Sequence, residues 1–115
     1  MSSSQRSEAR LVWYRVLDHA ELQEGRVKPV TCARQTVCMT HYKGQYAALD
    51  NRCPHQGGPL GMGELDETAD ACYVTCPWHG WQFDIRTGAH RTSPLQHVTL
   101  PVKIEDGAVF VDLES

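Results

Sequence analysis

Two short segments of the sequence each carry a cysteine and a histidine at close spacing. Cys53 and His55 are separated by one residue, and Cys76 and His79 are separated by two. Twenty residues lie between His55 and Cys76. Thiolates and imidazoles are ligands of tetrahedral zinc and also of mixed-ligand iron–sulfur clusters. The sequence therefore predicts a metal centre held by these four side chains.

The order of the ligand types favours an iron–sulfur cluster. A zinc finger usually keeps its two cysteines close together in sequence, and its two histidines close together. Here each segment supplies one residue of each type. That arrangement gives one iron two thiolates and the other iron two imidazoles. A structural zinc site is the alternative that these residue types leave open.

Both segments have the composition of loops. Residues 51–64 contain four glycines and two prolines, and residues 76–84 read CPWHGWQFD. Loops can aim ligands inward without imposing the spacing of a helix. We predict ligand loops at 53–63 and 76–84. A short hairpin should join them, with an acidic tip at 66–70 and a returning strand at 72–75.

Short strands and turns are predicted for the rest of the chain. Asp18 and Glu21 have capping-box spacing, which indicates a short helical turn over 19–24 that Gly25 closes. Glu105-Asp106-Gly107 is the strongest hairpin signal. Strands are expected at 11–16, 27–32, 36–42, 46–50, 98–104 and 108–113. The near absence of helical periodicity favours an all-β sandwich or barrel.

Length and composition restrict the function. The chain has 115 residues, a mass of 12.9 kDa, 41% hydrophobic and 22% charged residues, which fits one domain at 11–115 after a polar, disordered tail at 1–10. That length excludes a dinucleotide domain combined with a substrate domain. The net charge of −3 argues weakly against anionic nucleic-acid or membrane partners. No signal peptide or membrane span is visible, and five cysteines fit the reducing cytoplasm.

The segments CPHQGGPL and CPWHGWQFD resemble the two cluster-binding loops of the Rieske [2Fe-2S] family, and the resemblance extends from about residue 11 onward. It implies an antiparallel β-sandwich or barrel with a small cluster-binding subdomain of two loops. By position, Cys53 and Cys76 would hold the inner iron, and His55 and His79 the outer iron. The spacing between the loops exceeds the family's usual length by a few residues, which we place in the hairpin tip at 66–70.

Two pairs of positions indicate the type of Rieske protein. High-potential members carry a disulfide at the positions of Gly58 and Trp78, and hydroxyl side chains at those of Trp81 and Phe83. This sequence has neither feature. Hydrogen bonds to the cluster sulfurs stabilise the reduced state, so their loss lowers the potential. We therefore expect the low end of the Rieske range, about −150 mV or somewhat above.

The low-potential soluble members of the family are ferredoxin components of bacterial ring-hydroxylating oxygenase systems. The resemblance implies a monomeric one-electron carrier that transiently meets a flavoprotein reductase and a terminal oxygenase. Such a carrier has no catalytic residue and no substrate site. The chain also lacks the Asp-x-x-His-x-x-x-x-His pattern of the oxygenase iron. A small Rieske subunit of a larger oxidoreductase is the main alternative, and a structural zinc module is another.

Other notable side chains are assigned ordinary structural roles. Buried thiols are expected at the remaining cysteines, and Leu60 and Met62 should cover the cluster. Trp13 and Phe110 are interpreted as core aromatics. We expect surface or turn positions for the four remaining histidines. The remaining cysteines are Cys32, Cys38 and Cys72, and the remaining histidines are His19, His41, His90 and His97.

Overall fold

In the part of the chain that the structure describes, the regular elements are antiparallel β-strands and two short 3-10 turns. The structure, a computed structural model, describes residues 12–54 and 57–113. The predicted tail at 1–10 and the ligand His55 therefore lie outside the described residues. The strands are β1 (Trp13–Asp18), β2 (Arg26–Cys32), β3 (Gln35–Tyr42), β4 (Gln45–Asp50), β5 (Glu64–Glu67), β6 (Cys72–Thr75), β7 (Gln82–Asp84), β8 (Thr99–Leu100), β9 (Val102–Glu105) and β10 (Ala108–Asp112).

The described strands form three sheets. The central one has the order β2-β3-β4-β8, and a second has the order β1-β10-β9. The third, β5-β6-β7, carries the segment between the predicted ligand loops and also the end of the second loop, because Gln82–Asp84 forms a strand there and not loop. All strand pairs are antiparallel. The predicted all-β class, with a small subdomain around the two loops, is confirmed.

The central sheet buries residues on both faces. On β3, Val37 and Met39 point into one apolar core, while Cys38 between them points into the other. This follows from the alternation of side chains along a strand. We call the core shared with β1 and β10 the base core, and the core shared with β6 and β7 the loop core. Leu17 and Val109 belong to the base core.

One predicted strand is wrong, because residues 98–104 form two strands in different sheets. Thr99–Leu100 pairs with β4, whereas Val102–Glu105 pairs with β10. Pro101 lies between them and has no backbone N–H to donate to a ladder. Its carbonyl accepts the Asp112 N–H at 3.1 Å. The chain therefore crosses from the central sheet to the second sheet at this proline.

Three two-residue turns close the hairpins of these two sheets. Lys43-Gly44 and Asp106-Gly107 have positive φ at both residues, as the twist of a tight hairpin requires. Ala33-Arg34 adopts the same conformation without a glycine. The predicted helical turn is shorter than expected, a single 3-10 turn over His19–Glu21.

The acidic hairpin between the loops also differs from the prediction. Asp66 and Glu67 belong to β5 and pair with β6, so the turn itself begins at Thr68. The Thr68 N–H donates to the Ala71 carbonyl at 2.8 Å and closes that turn. Asp66 is not merely solvated, because its carboxylate accepts hydrogen bonds from Gln82 at 2.8 Å and Arg91 at 3.1 Å.

Candidate metal centre

The two cysteines of the predicted ligand set lie close together in the loop core. Cys53 and Cys76 are each 2% exposed, and both pack in the same apolar cluster as Leu60 and Phe83. Cys53 follows β4 and Cys76 follows β6. The ends of two strands from different sheets therefore bring the two thiols to one region.

Both loops close on themselves with the same pair of backbone hydrogen bonds. The Cys53 N–H donates to the Gly58 carbonyl at 2.9 Å, and the Gly57 N–H donates to the Cys53 carbonyl at 2.8 Å. In the second loop the Cys76 N–H donates to the Trp81 carbonyl at 2.8 Å, and the Gly80 N–H to the Cys76 carbonyl at 3.0 Å. Each cysteine is thus fixed at the start of a tight five-residue loop.

The glycine four residues after each cysteine explains why both loops turn in the same way. Gly57 and Gly80 both have φ of +77°, a left-handed conformation that is costly for residues with a Cβ atom. The repeated pattern Cys-Pro-x-x-Gly in the sequence therefore accompanies the same closing hydrogen bonds and the same glycine conformation in both loops. The histidine occupies a different place in each copy, at the third residue in the first loop and the fourth in the second.

Gly58 shows that the two loops touch. A Cβ atom built there would lie 2.8 Å from Cys76 Sγ and 3.1 Å from the Trp78 ring. Gly58 and Trp78 are the positions at which high-potential relatives were expected to carry a disulfide, and their proximity agrees with that placement. The arrangement fits a small inorganic cluster, because bare backbone from one loop approaches the thiol of the other.

Among the described residues of the predicted ligand set, the histidine is exposed and the two cysteines are buried. His79 lies in the turn of the second loop and is exposed, whereas the thiols are buried. His55 belongs to the first loop and is outside the described residues. Buried thiols with an imidazole at the surface would place one iron inside and one near the solvent.

Asn51 supports the first loop, a role that the sequence analysis missed. Its side-chain carbonyl accepts the Gly61 N–H at 2.7 Å, and its backbone carbonyl accepts the Leu60 N–H at 2.8 Å. Leu60 is fully buried beside Cys53, as expected. Met62 is 65% exposed, and its covering of the site stays a prediction. An asparagine that begins a glycine-rich loop was the signal available in the sequence.

Of the four remaining histidines, His97 is buried, and His41 and His90 are half-buried. His97 is only 6% exposed, and His90 packs its ring against Trp81 at 4.7 Å. His41 stacks on Tyr46 at 4.1 Å. The prediction was wrong for His97 because its ring is hydrogen-bonded to the carbonyl of Asp50, which is 47 residues away in sequence. His19 is exposed, as expected.

The other cysteines are core or partly buried thiols, as predicted. Cys38 and Cys72 belong to the loop core, and Cys32 is half-buried. Burial raises the pKa of Cys38 far above its ordinary value. Burial, followed by the charge of Glu67, raises the pKa of Cys72 to about 11. Both buried thiols are therefore held in their neutral form at neutral pH.

Two predicted core aromatics lie at a surface instead. Trp13 and Phe110 are half-buried. The ammonium group of Lys103 lies 4.8 Å from the Trp13 ring centre and 5.6 Å from that of Phe110. Alternation along β10 directs Val109 and Val111 to the base core and leaves Phe110 on the opposite face.

Comparison with known proteins identifies related sequences. Residues 12–104 match the model of the Rieske [2Fe-2S] domain family. The chain is 33% identical over 95 residues to the 3-phenylpropionate/cinnamic acid dioxygenase ferredoxin subunit of Photorhabdus laumondii, covering 79% of this chain and 85% of that protein. It is 31% identical over 103 residues to the ferredoxin component of the naphthalene 1,2-dioxygenase system of Pseudomonas putida, covering 88% and 95%.

Some relatives are much longer than this chain. Cholesterol 7-desaturase nvd 1 of Ciona intestinalis is 38% identical over 73 residues, which are 63% of this chain and 15% of that protein. The human Rieske domain-containing protein is 38% identical over 63 residues, which are 55% of this chain and 40% of that protein. The similarity to these proteins therefore concerns one part of each.

Solved structures have the same fold. A chain of the complex of reduced oxygenase and oxidized ferredoxin in carbazole 1,9a-dioxygenase superposes with a TM-score of 0.79 at 25% identity, covering 91% of this chain and 96% of that one. The ferredoxin of Sphingomonas yanoikuyae B1 superposes with a TM-score of 0.76 at 31% identity, covering 88% and 98%. Within the described residues, the helical segments are single 3-10 turns, and none could span a membrane.

Proposed function

The chain belongs to the Rieske [2Fe-2S] family, and from this we propose that it is a one-electron carrier that delivers electrons to a terminal oxygenase of the ring-hydroxylating type. The observation that carries the proposal is the contact of the two loops, with Gly58 against the Cys76 thiol. The cofactor is a Rieske-type [2Fe-2S] cluster, which accepts and releases a single electron. The ferredoxin components matched along most of their length support a carrier rather than a fragment of an oxygenase.

Each ligand residue has its own role in this proposal. Cys53 and Cys76 supply the two buried thiolates, and the loop core around them excludes water from the inner iron. His55 and His79 bind the outer iron through their ring nitrogens. Because neutral imidazole stabilises ferrous iron better than thiolate does, these two histidines would favour the added electron on their side of a bound cluster. The exposed position of His79 then gives partners a short path to it.

Partners meet the protein at the end that carries the loops. Trp78 is 56% exposed and Met62 is 65% exposed, and each belongs to one of the loops. Exposed apolar side chains beside a redox centre suit small, transient interfaces, and methionine adapts to different partners. One face thus serves a flavoprotein reductase and an oxygenase in turn. We propose that the carrier is a monomer.

The proposal also covers catalysis, location and domain organisation. The carrier has no catalytic residue and no substrate site of its own, so the substrate is selected by the oxygenase. It works in the cytoplasm, where a reducing environment leaves the cysteines as thiols. Its functional unit is one domain over residues 11–115.

Analysis of the anaerobically purified protein tests the cofactor. We expect two iron atoms and two acid-labile sulfides per chain, and a Rieske-type electron paramagnetic resonance (EPR) spectrum after reduction. Cys53→Ser and Cys76→Ser should abolish the cluster, and His79→Ala should do the same. The matched control is Cys32→Ser, at a half-buried thiol outside the loops, which should keep it. Zinc without sulfide would contradict the proposal and favour a structural zinc module.

Reconstitution tests the role as a carrier. A flavoprotein reductase with a reduced nicotinamide should reduce the isolated protein, and a ring-hydroxylating oxygenase should reoxidise it. Gel filtration should show a monomer throughout. A protein that is stable and reducible only inside a permanent complex would instead be a subunit of a larger oxidoreductase.

A further inference from the structure

We propose that His97 is a positioning residue that holds the two ligand loops in register with each other. It lies far from both loops in sequence, and it is buried where the strand before the first loop approaches the strand after the second. The inference rests on the proposed function, because it concerns the geometry of the cluster ligands. It assigns a role to a histidine that the ligand set does not use.

His97 fixes the start of the first loop through Asp50, the last residue of β4. The ring Nε2–H of His97 donates to the Asp50 carbonyl at 2.8 Å. The next residue, Val98, accepts the Asp50 N–H at 3.1 Å. The Asp50 carboxylate in turn accepts the Arg52 N–H at 3.0 Å, immediately before Cys53. Residues 97 and 98 therefore hold both backbone groups of Asp50.

The same ring contacts the strand that leaves the second loop. The ring centres of His97 and Phe83 are 5.3 Å apart, and Phe83 is fully buried on β7. Phe83 also packs near Trp81, with ring centres 6.4 Å apart. The Trp81 carbonyl accepts the Cys76 N–H. One side chain therefore connects the chain next to Cys53 with the chain next to Cys76.

The backbone around His97 is itself constrained. Its N–H donates to the Gly88 carbonyl at 2.8 Å. A Cβ atom at Gly88 would lie 2.3 Å from the His97 carbonyl oxygen, and φ there is +78°, so only glycine allows this approach. His90 pairs with Phe83 in an isolated bridge. The segment from Gly88 to Val98, which we call the strap, is thus paired with β7 near one end and hydrogen-bonded to β4 at the other.

Such a strap matters for electron transfer because ligand orientation tunes a metal centre. Hydrogen bonds and packing behind the ligands set their orientation, and with it the potential of the site. His97 combines a donor directed at the first loop with a ring packed behind the second. The two contributions can be separated, because phenylalanine keeps a ring without the donor and glutamine keeps a donor near the position of Nε2.

EPR spectroscopy and voltammetry on cluster-loaded variants test the inference. His97→Phe should shift the g-values of the reduced cluster and its midpoint potential. His97→Gln keeps the donor but loses the ring contact with Phe83, so both values should still shift, but should lie closer to those of the wild type than the values of His97→Phe do. The matched control is His19→Phe, at an exposed histidine, which should change neither. If His97 only fills space, cluster content and melting temperature would fall, while the loaded fraction would keep wild-type g-values and potential.

A second variant keeps the test decisive if His97→Phe fails to fold. Phe83→Leu removes the ring contact but keeps an apolar side chain in the core, and it should also shift the g-values. Unchanged spectra and potentials in every folded variant would overturn the proposal, as would a His97→Gln protein that resembles His97→Phe. The absence of a Rieske signal from the wild-type protein would refute the proposed function instead.

Discussion

At Gly58, the absence of a side chain allows the two loops to meet. A methyl group there would lie well inside contact distance of Cys76 Sγ. We predict that Gly58→Ala sharply reduces the fraction of chains that hold a cluster, because the thiol must move to admit the methyl group. Iron and sulfide content per folded chain measures this effect.

Gly80→Ala provides the matched control. Gly80 also lies in a ligand loop, but nothing is within 4 Å of a Cβ atom built there. Its φ of +77° makes alanine strained by about 1–2 kcal/mol. The control should thus lower the melting temperature and still load the cluster. Equal loading of the two variants would show that the contact at Gly58 is unimportant.

Cys72 should make the protein less stable at alkaline pH. Burial and the nearby acidic residues Glu67, Asp84 and Asp66 raise its pKa from 9.0 to about 11. The folded state therefore keeps a proton that the unfolded state loses. This contribution to stability is complete below pH 9 and is lost as the pH rises toward 11.

Urea unfolding between pH 8 and 11 measures the effect of Cys72. Cys72→Ala should give a flatter decline in unfolding free energy than the wild type over this range, whatever its stability at pH 8. Tyr42, whose pKa is raised to about 12 by burial and by its hydrogen bond to Glu67, leaves part of the decline in both proteins. Parallel curves for the two proteins would contradict the assignment to Cys72.

Among the elements, the two loops were the easiest to predict from the sequence. The spacing of Cys53, Cys76 and His79 was informative because each loop repeats Cys-Pro-x-x-Gly, and the shape depends on residues within the loop. The hairpin turn at Asp106-Gly107 was predictable for the same reason. Local chemistry determines such features, so a single sequence reveals them.

Features that depend on contacts between distant parts of the chain could not be predicted from the sequence. His97 is buried only because the strap returns over Phe83, and nothing near His97 in sequence indicates this. The break at Pro101 was missed because both halves have strand composition, and only the pairing partners separate them. Packing between remote elements determined each of these outcomes.

The division into two cores predicts how the protein responds to loss of its cluster. The loop core includes the thiols of both proposed cysteine ligands, whereas the base core, with Val37 and Val109, includes none of the proposed ligands. Metal binding stabilises the part of a fold that supplies the ligands. In the apoprotein, amide hydrogen exchange should speed up first in β6 and β7. Protection in β3 and β10 should persist. Uniform loss of protection would mean that the cluster stabilises the whole molecule as a single unit.

At the scale of the whole molecule, the net charge of the chain and the side chains around the cluster together set the midpoint potential. Reduction adds a negative charge to a chain of net charge −3, and the side chains at Trp81 and Phe83 offer no hydroxyl to the cluster. Both effects favour the oxidised state, so voltammetry at pH 7 should give about −150 mV or somewhat above.

A pair of variants at Trp81 isolates the effect of the hydroxyl. Trp81→Ser and Trp81→Ala both remove the indole ring that packs on His90, but only the serine can donate a hydrogen bond to sulfur. The potential of Trp81→Ser should therefore exceed that of Trp81→Ala, because such a bond stabilises the more negative, reduced cluster. Equal potentials in the two variants, or a wild-type value well above zero, would show that a different feature of the protein sets the potential.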